Sequence, residues 1–323
     1  MTKILFITST RIGDAVLSTG LLDHILKTYD DPQVTIVCGP LAASLFEGYP
    51  ALHELIALKK EKRNGHWVKL WKRAFPTKWD VVIDLRNSVV SRLLRAKERY
   101  IYGPHIDGEA HKVVQNAMTM RLSSAPAPKL WFTDAQLAKA AELIPDGETP
   151  VIGVGPTANW IGKTWPTDRF IEIVSFLRSA GSPYEGARVA VFAAPGEEPA
   201  AREVLASVPE GMGLDIIAKA SPAEAAAALS RCDFYIGNDS GLMHCAAASG
   251  VPTFGVFGAS WPHLYGPWGV HTAYARTPET FAELTDYEGY HPSQLTETLM
   301  GSLTTEMVKD ELSHFFEKLK KPA

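Results

Sequence analysis

Short apolar runs recur along this chain, each followed by a polar turn and then by apolar positions at helical spacing. Lys3–Thr8, Val34–Cys38, Glu54–Leu58 and Val81–Leu85 read as buried strands. Between them, Val16, Leu17, Leu21, Leu22, Ile25 and Leu26 fall on one side of a helix, and a second helix is expected from about Leu41 to Gly48. The pattern restarts in the second half. Strands are predicted at Pro150–Gly155, Arg188–Ala193, Gly213–Ala218, Phe234–Gly237 and Pro252–Phe257. The helices between them start at a Thr167 cap, at Glu197 with Pro199 in its first turn, at a Ser221–Glu224 capping box, and at Leu242. A last amphipathic helix spans Thr304–Lys320, with Met307, Val308, Leu312, Phe315, Phe316 and Leu319 near 3.6 spacing.

Strands alternating with helices mean βαβ units and a parallel sheet, here twice over. Arg99–Met120 reads as loop plus helix, and its His105, His111 and Lys112 show no metal spacing. The Pro-rich SSAPAPK at 123–129 and the break PDGETP at 145–150 bracket an interdomain connection, with a helix over Trp131–Leu143. The domains expected are 1–145 and 146–302, with the 303–323 helix packing back toward the first.

Length and composition agree with that division. The chain has 323 residues, 46% of them hydrophobic and 21% charged, which suits two ordered domains and excludes a disordered chain. A net charge of −4 calls for no nucleic-acid partner. Cys38, Cys232 and Cys245 sit in apolar surroundings without a CxxC pair and read as reduced core residues. No signal peptide and no transmembrane segment are expected, so a cytoplasmic protein is predicted, with membrane contact at most peripheral.

Ligands of open parallel sheets bind at the carboxyl ends of the strands, and three polar turns stand there. After the first strand, Gly13 admits close approach of a ligand, and Asp14 is either a general base or a plain helix-start carboxylate. After the Pro150–Gly155 strand, GPTANWIGKTWP supplies Thr157 and Lys163, a cation able to steady a leaving diphosphate. Its spacing is not that of a Walker loop. The third turn, Asn238–His244, offers free N–H groups at Ser240 and Gly241 to an anion, Asp239 to sugar hydroxyls, and His244 on the same side. His244 could equally be a buried helix histidine. No GxGxxG follows the first strand, and no Asp-x-Asp dyad offers a diphosphate-bridging metal, so no metal and no cofactor are expected. The run KKEKRNGHWVKLWKR at 59–73 is either a solvated amphipathic helix with Trp67, Val68, Leu70 and Trp71 inward, or a mobile basic loop that attracts an acidic acceptor.

Taken in order, ILFITSTRIGDAVLSTG (4–20), VVIDLR (81–86), GPTANWIGKTWPTDRF (155–170), APGEEPAARE (194–203), IGNDSGLMHCAAASGVPTFGVFG (236–258) and LMGSLTTEMVKDEL (299–312) resemble glycosyltransferase family 9, the ADP-heptose:lipopolysaccharide heptosyltransferases. The resemblance spans nearly the whole chain. It implies an α/β GT-B fold, two Rossmann-like domains facing across a cleft, acceptor in the first and nucleotide sugar in the second. It also implies inverting, metal-independent transfer, with ADP-sugar as substrate and domain closure bringing the halves together. By that likeness Asp14 matches the base and Lys163 the diphosphate-stabilising lysine. Asp239, Ser240, Gly241 and His244 match the donor turn, with Thr157 in the preceding loop. Glu197, or its neighbour Glu198, matches a ribose contact, and the backbone at Lys219–Ala220 the base pocket. Gly13, Lys59, Lys60, Lys62, Arg63 and Arg86 fall to the anionic glycolipid acceptor at the inner membrane surface. Ser240 stands where Thr is commoner, and Arg86 where Gln is more usual. Rival readings are a nucleotide-sugar epimerase, a transferase of another sugar, a non-catalytic sugar-nucleotide-binding protein and a Rossmann dehydrogenase.

Overall fold

A computed structural model describes residues 1–320 and divides the chain into two compact units, Met1–Thr133 and the remainder from Asp134 on. The first unit holds β1 (Thr2–Ile7), α1 (Ile12–Leu17), α2 (Thr19–Thr28), β2 (Pro32–Cys38), β3 (Leu52–Ala57), α3 (Gly65–Ala74), β4 (Trp79–Asp84), α4 (Val89–Leu93), β5 (Ala96–Ile101) and α5 (Lys112–Thr119). Its five strands are all parallel in the order β3-β2-β1-β4-β5. The order reverses between β1 and β4, where Ile7 registers with Asp84, and the carboxyl ends of those two strands form the natural ligand crevice of such a sheet. On one face, Leu5, Ile7, Val37 and Val82 pack with Leu70 and Ala74 of α3 and with Val90 and Leu94 at α4, so both helices cover the same side.

Three readings of this unit need correction. Arg99 belongs not to a loop but to β5, an edge strand whose middle side chains are exposed; lacking an apolar run, it left no trace in the hydrophobic pattern. The segment after β2 winds as a 3₁₀ helix over Pro40–Phe46. In the basic stretch α3 does form, and Leu70 is buried inward as expected, but Val68 points to solvent at 53% exposure.

The second unit holds α6 (Asp134–Leu143), β6 (Val151–Gly155), α7 (Thr167–Arg178), β7 (Arg188–Val191), α8 (Glu198–Ala206), β8 (Gly213–Asp215), α9 (Pro222–Leu229), β9 (Phe234–Asn238), α10 (Gly241–Ala248), β10 (Thr253–Phe257), α11 (Pro262–Tyr265), β11 (Thr272–Arg276), α12 (Phe281–Thr285) and α13 (Thr305–Leu319). Its six parallel strands run β11-β10-β9-β6-β7-β8, reversing between β6 and β9. Counted from its own first strand this is the 3-2-1-4-5-6 Rossmann order. Thus both units are Rossmann-like α/β sheets. The capping box at α9 is complete: Glu224 N–H donates to Ser221 Oγ at 3.3 Å and Ser221 N–H to Glu224 Oε2 at 2.7 Å.

The units part earlier than the 145/146 boundary read from the breaks. Helix α6 packs on α9, and Arg231 donates through Nε to the Ile144 carbonyl at 2.6 Å while its guanidinium pairs with Asp146. These contacts tie the helix and the segment after it to the second unit. Helix α13 likewise buries Val308, Leu312, Phe315 and Phe316 in the second unit's core beside Phe234 and Phe254. Its periodicity was legible, its docking partner was not. At α7, Thr167 is the first helical residue and the cap is Pro166, with no side-chain cap bond. Strand β11, at the sheet edge, also went unread. The three cysteines are buried and free, and burial pushes the thiols of Cys38 and Cys245 up to about 12, as inert core residues require.

Candidate active site

In the second unit the reversal of strand order puts the loops after β6 and β9 side by side. The two strands meet in register at Gly155 and Gly237. Both glycines are required by one neighbour. A Cβ at Gly155 would lie 2.1 Å from the Tyr235 hydroxyl, and a Cβ at Gly237 would lie 2.3 Å from the same atom. Tyr235 is fully buried, so its phenol lies across two bare backbones at the crevice floor. Burial raises its pKa strongly, and the neighbouring Ser240 hydroxyl partly offsets the rise. Ser240 in turn is the N-cap residue of α10, whose first residue is Gly241.

The loop after β6 is tied down from below. Asn238, at the end of β9 and wholly buried, accepts from the Trp165 N–H at 2.9 Å. Trp165 Nε1 and Arg169 donate to the Leu303 carbonyl at 2.8 and 2.5 Å, and the Thr298 hydroxyl donates to the Thr164 carbonyl at 2.6 Å. Lys163 closes a one-turn 3₁₀ helix, Ile161–Lys163, above this anchorage. Its Nζ lies 3.3 Å from Asp239 Oδ2, and the other carboxylate oxygen of Asp239 lies 3.9 Å from His244 Nε2. Lys163, Asp239 and His244 thus form one group. Asp239 and His244 are buried, at 7% and 4% exposure, so a ligand reaching them meets polar groups withdrawn from water, where electrostatic interactions act strongly. Among the described residues no cluster of three or more His, Cys, Asp or Glu side chains is arranged to hold a metal ion.

Two further sets lie nearby in sequence but pair among themselves. The Thr157 hydroxyl donates to Glu197 Oε2 at 2.6 Å. Glu198 instead accepts from the Gly196 N–H at 2.9 Å, a backbone bond that lowers its pKa. The two acids left open by the sequence are therefore distinguished: Glu198 serves the start of α8, and Glu197 faces the loop after β6. Lys219 is not joined to the Lys163 group. Its ammonium is held at 2.8 Å by Asp215 Oδ2, which also takes Arg202 at 2.6 Å. What Lys219–Ala220 offers a ligand is backbone, just after Ala218 with its positive φ of 54°.

In the first unit Gly13 and Asp14 lie in α1, directly after β1. The Ser9 hydroxyl donates to Asp14 Oδ2 at 3.3 Å and accepts from the Arg11 N–H at 3.2 Å, which fixes the turn. Helix α5 braces α1: the buried Asn116 amide donates to the Leu17 carbonyl at 3.0 Å. From α5 comes Lys112, which feels the charge of Asp14, lies 4.6 Å from the Tyr102 ring centroid and donates to Gln115 at 3.1 Å. Burial lowers its pKa, and the Asp14 carboxylate opposes that. Arg86 follows β4 and is exposed, but its backbone is held: buried Asp84 accepts from Arg86 N–H at 2.8 Å, Ser88 N–H at 2.7 Å and Ser88 Oγ at 2.6 Å. Lys59, Lys60, Lys62 and Arg63 are exposed between β3 and α3, and no hydrogen bond or ion pair links them to Asp14 among the described residues.

Asp84 and Tyr235 were not read as site-forming. The signal for Asp84 was available: a carboxylate closing the apolar run VVID, four residues before a serine. For Tyr235 it was the pairing of Gly155 with Gly237, visible only once the strands are in register.

A family model described as glycosyltransferase family 9 (heptosyltransferase) matches residues 109–287. The lipooligosaccharide heptosyltransferase 2 of Haemophilus influenzae is 24% identical, over 98% of this chain and 100% of that protein. Among solved structures, a glycosyl transferase family 9 protein from Veillonella parvula aligns with a TM-score of 0.78 at 20% identity, covering 99% of this chain and 98% of that one. The E. coli ADP-heptose lps heptosyltransferase II aligns with a TM-score of 0.72 at 20% identity, covering 99% and 100%. These likenesses establish the GT-B fold.

Proposed function

Since this chain belongs to glycosyltransferase family 9, we propose that it moves a heptose from ADP-heptose to an anionic lipopolysaccharide-core acceptor, inverting the anomeric carbon without a metal. The observation that carries this reading is the Lys163–Asp239–His244 group at the strand-order reversal of the second unit, next to the start of α10. A cation beside free N–H groups suits a diphosphate, and a buried carboxylate beside them suits sugar hydroxyls. The names of similar proteins, which include ADP-heptose, lipooligosaccharide and lps, support this choice of sugar and acceptor.

In this reading the first unit supplies the base. Asp14 takes the proton of an acceptor hydroxyl while that oxygen bonds to the anomeric carbon of the heptose. The bond from that carbon to the diphosphate breaks, and its electron pair leaves with ADP. Lys163 and the N–H groups at Ser240 and Gly241 neutralise the added charge. Attack on the face opposite the leaving group inverts the centre. Glu197, with Thr157, contacts the ribose, and backbone at Lys219–Ala220 the base. Lys59, Lys60, Lys62, Arg63 and Arg86 attract the acidic acceptor. The enzyme would meet this glycolipid peripherally at the inner face of the cytoplasmic membrane; no described helix is long and apolar enough to cross one.

The test is incubation with ADP-heptose and a heptose-free lipopolysaccharide core, in EDTA. Mass gain of one heptosyl residue on the acceptor, with an inverted linkage by NMR, supports the reading. Conversion of the sugar nucleotide without acceptor points to an epimerase, and transfer only from UDP- or GDP-sugars to another donor. Activity lost in EDTA and restored by a divalent cation overturns metal independence.

A further inference from the structure

The chain's net charge is −4, yet residues 59–95 hold eleven Lys or Arg against three Asp or Glu. Of those acids Glu61 is paired with Lys69, Asp80 with Lys97, and Asp84 is buried. Arg73 is paired with Glu54, outside this stretch. The excess of positive charge is therefore concentrated, and no salt bridge joins Lys72, Arg92 or Arg95 to an acid among the described residues. The Lys59–Arg63 group was assigned above to the acceptor. That leaves the outer side of α3 and α4, which the transfer reaction does not use.

Both helices lie on the same face of the first sheet, with Leu70, Ala74, Val90 and Leu94 turned inward. Their opposite sides carry large apolar residues in solvent: Val68 at 53% exposure, Phe75 at 41%, Val89 at 67% and Leu93 at 58%. Val89 and Leu93 are four apart and share one side of α4. Cations are interleaved with them: Lys69, Lys72 and Arg73 on α3, Arg92 and Arg95 at α4, all exposed. The far ends of the two helices are joined, since Arg95 lies over the Phe75 ring at 5.3 Å and donates to the Phe75 carbonyl at 3.1 Å. The result is one surface, not two unrelated helix backs.

Single exposed apolar residues need no explanation, but four on a joined, basic two-helix face do. Apolar side chains ringed by lysine and arginine match a bilayer interface, where the apolar groups enter the acyl boundary and the long basic chains reach anionic headgroups. We propose that the outer face of α3 and α4 docks this protein on an anionic lipid bilayer. The charge selects the lipid, and Val68, Phe75, Val89 and Leu93 supply the insertion. This goes beyond the transfer reaction and does not depend on which sugar is moved.

The experiment is flotation of the full chain with phosphatidylcholine vesicles, with and without phosphatidylglycerol. Binding is expected only with phosphatidylglycerol, and it should weaken as salt rises. Val89→Ser/Leu93→Ser, at solvent-exposed positions, is expected to lower the vesicle partition coefficient by about tenfold or more, because two buried apolar groups are lost. Leu93→Trp should raise it. Transfer to a water-soluble acceptor fragment should be unchanged in both, so vesicle binding and catalysis are read separately. Equal binding to neutral vesicles, no binding to either, or full binding by the double Ser variant would each overturn the proposal. So would dimerisation of the wild type that the double variant abolishes, which would give the face to a second copy of this chain.

Discussion

The Lys163 ammonium and the Asp239 carboxylate lie 3.3 Å apart, both mostly withdrawn from solvent. The sequence reading gave each a separate task, the lysine to a diphosphate and the aspartate to sugar hydroxyls. Their pairing joins the tasks: Asp239 holds the lysine in place at the crevice, and a bound diphosphate would share it. Lys163→Ala is therefore expected to lower kcat by two orders of magnitude or more, the scale seen when one electrostatic stabiliser is removed. It also leaves Asp239 without its cation, at a stability cost of about 1–3 kcal/mol, below that of a fully buried pair. Thermal melting and single-turnover rates separate the two effects. Normal turnover in a folded Lys163→Ala protein would remove the leaving-group role.

Asp14 is tested by Asp14→Asn. Transfer should fall by about 10²–10⁴-fold, while ADP binding, measured by calorimetry, stays within a factor of two or so, since the residues proposed to hold the donor all lie in the second unit. Loss of ADP affinity instead would move Asp14 out of the base role.

Lys112 makes a pH prediction. Burial holds its pKa below the ordinary lysine value, so the folded state disfavours its charge. The sign follows: a charged Lys112 costs stability below its folded pKa, and that cost fades as pH rises from there toward 10.5, the unfolded value. Lys112→Met should raise Tm at neutral pH and flatten the alkaline part of the stability profile. Thermal melting followed from neutral to alkaline pH checks this, and a profile that the substitution leaves unchanged would remove the burial cost.

Tyr235 explains two glycines, and a double-mutant cycle checks it. Gly155→Ala should destabilise by about 1–3 kcal/mol through overpacking. Adding Tyr235→Phe should restore part of this, because the hydroxyl is the nearest atom at 2.1 Å and the next, the ring carbon bearing it, is at 3.1 Å. Gly237→Ala should not be rescued, since the Gly155 carbonyl oxygen remains at 2.8 Å. Chemical denaturation of the three single and two double variants gives the coupling directly.

Glu197 and Glu198 differ by partner, and kinetics should follow. Glu197→Gln is expected to raise the donor KM several-fold with little change in kcat, as loss of uniform binding does. Glu198→Gln alters a side chain that bonds backbone at the start of α8, so donor KM should stay near normal. The reverse result would assign the ribose contact to Glu198.

The central strands and the polar turns after them were legible because parallel strands buried on both faces read as unbroken apolar runs. Strands β5 and β11 were not, since AKERYI and TAYAR sit at sheet edges and carry polar or exposed side chains. Lys163, Asp239 and His244 could be named from their turns, yet their grouping depends on β6 lying next to β9, a long-range pairing that no local pattern encodes. Asp84 differs: its three bonds are local, made as the chain folds back within four residues, and the VVID run before Ser88 was their available signal. Helix α13 shows the limit of periodicity: spacing finds the buried side of a helix, but not what buries it.

The anchorage of the loop after β6 sets where its rigidity comes from. Trp165, Arg169 and Thr164 are held by Leu303 and Thr298, and α13 then closes the core beneath them. A chain truncated before Thr298 would keep Lys163, Asp239 and His244 yet lose the bonds and the packing that fix the loop carrying Lys163. The candidate site thus borrows its stiffness from a segment more than a hundred residues further along the chain, and it can be loosened without altering any of its own side chains.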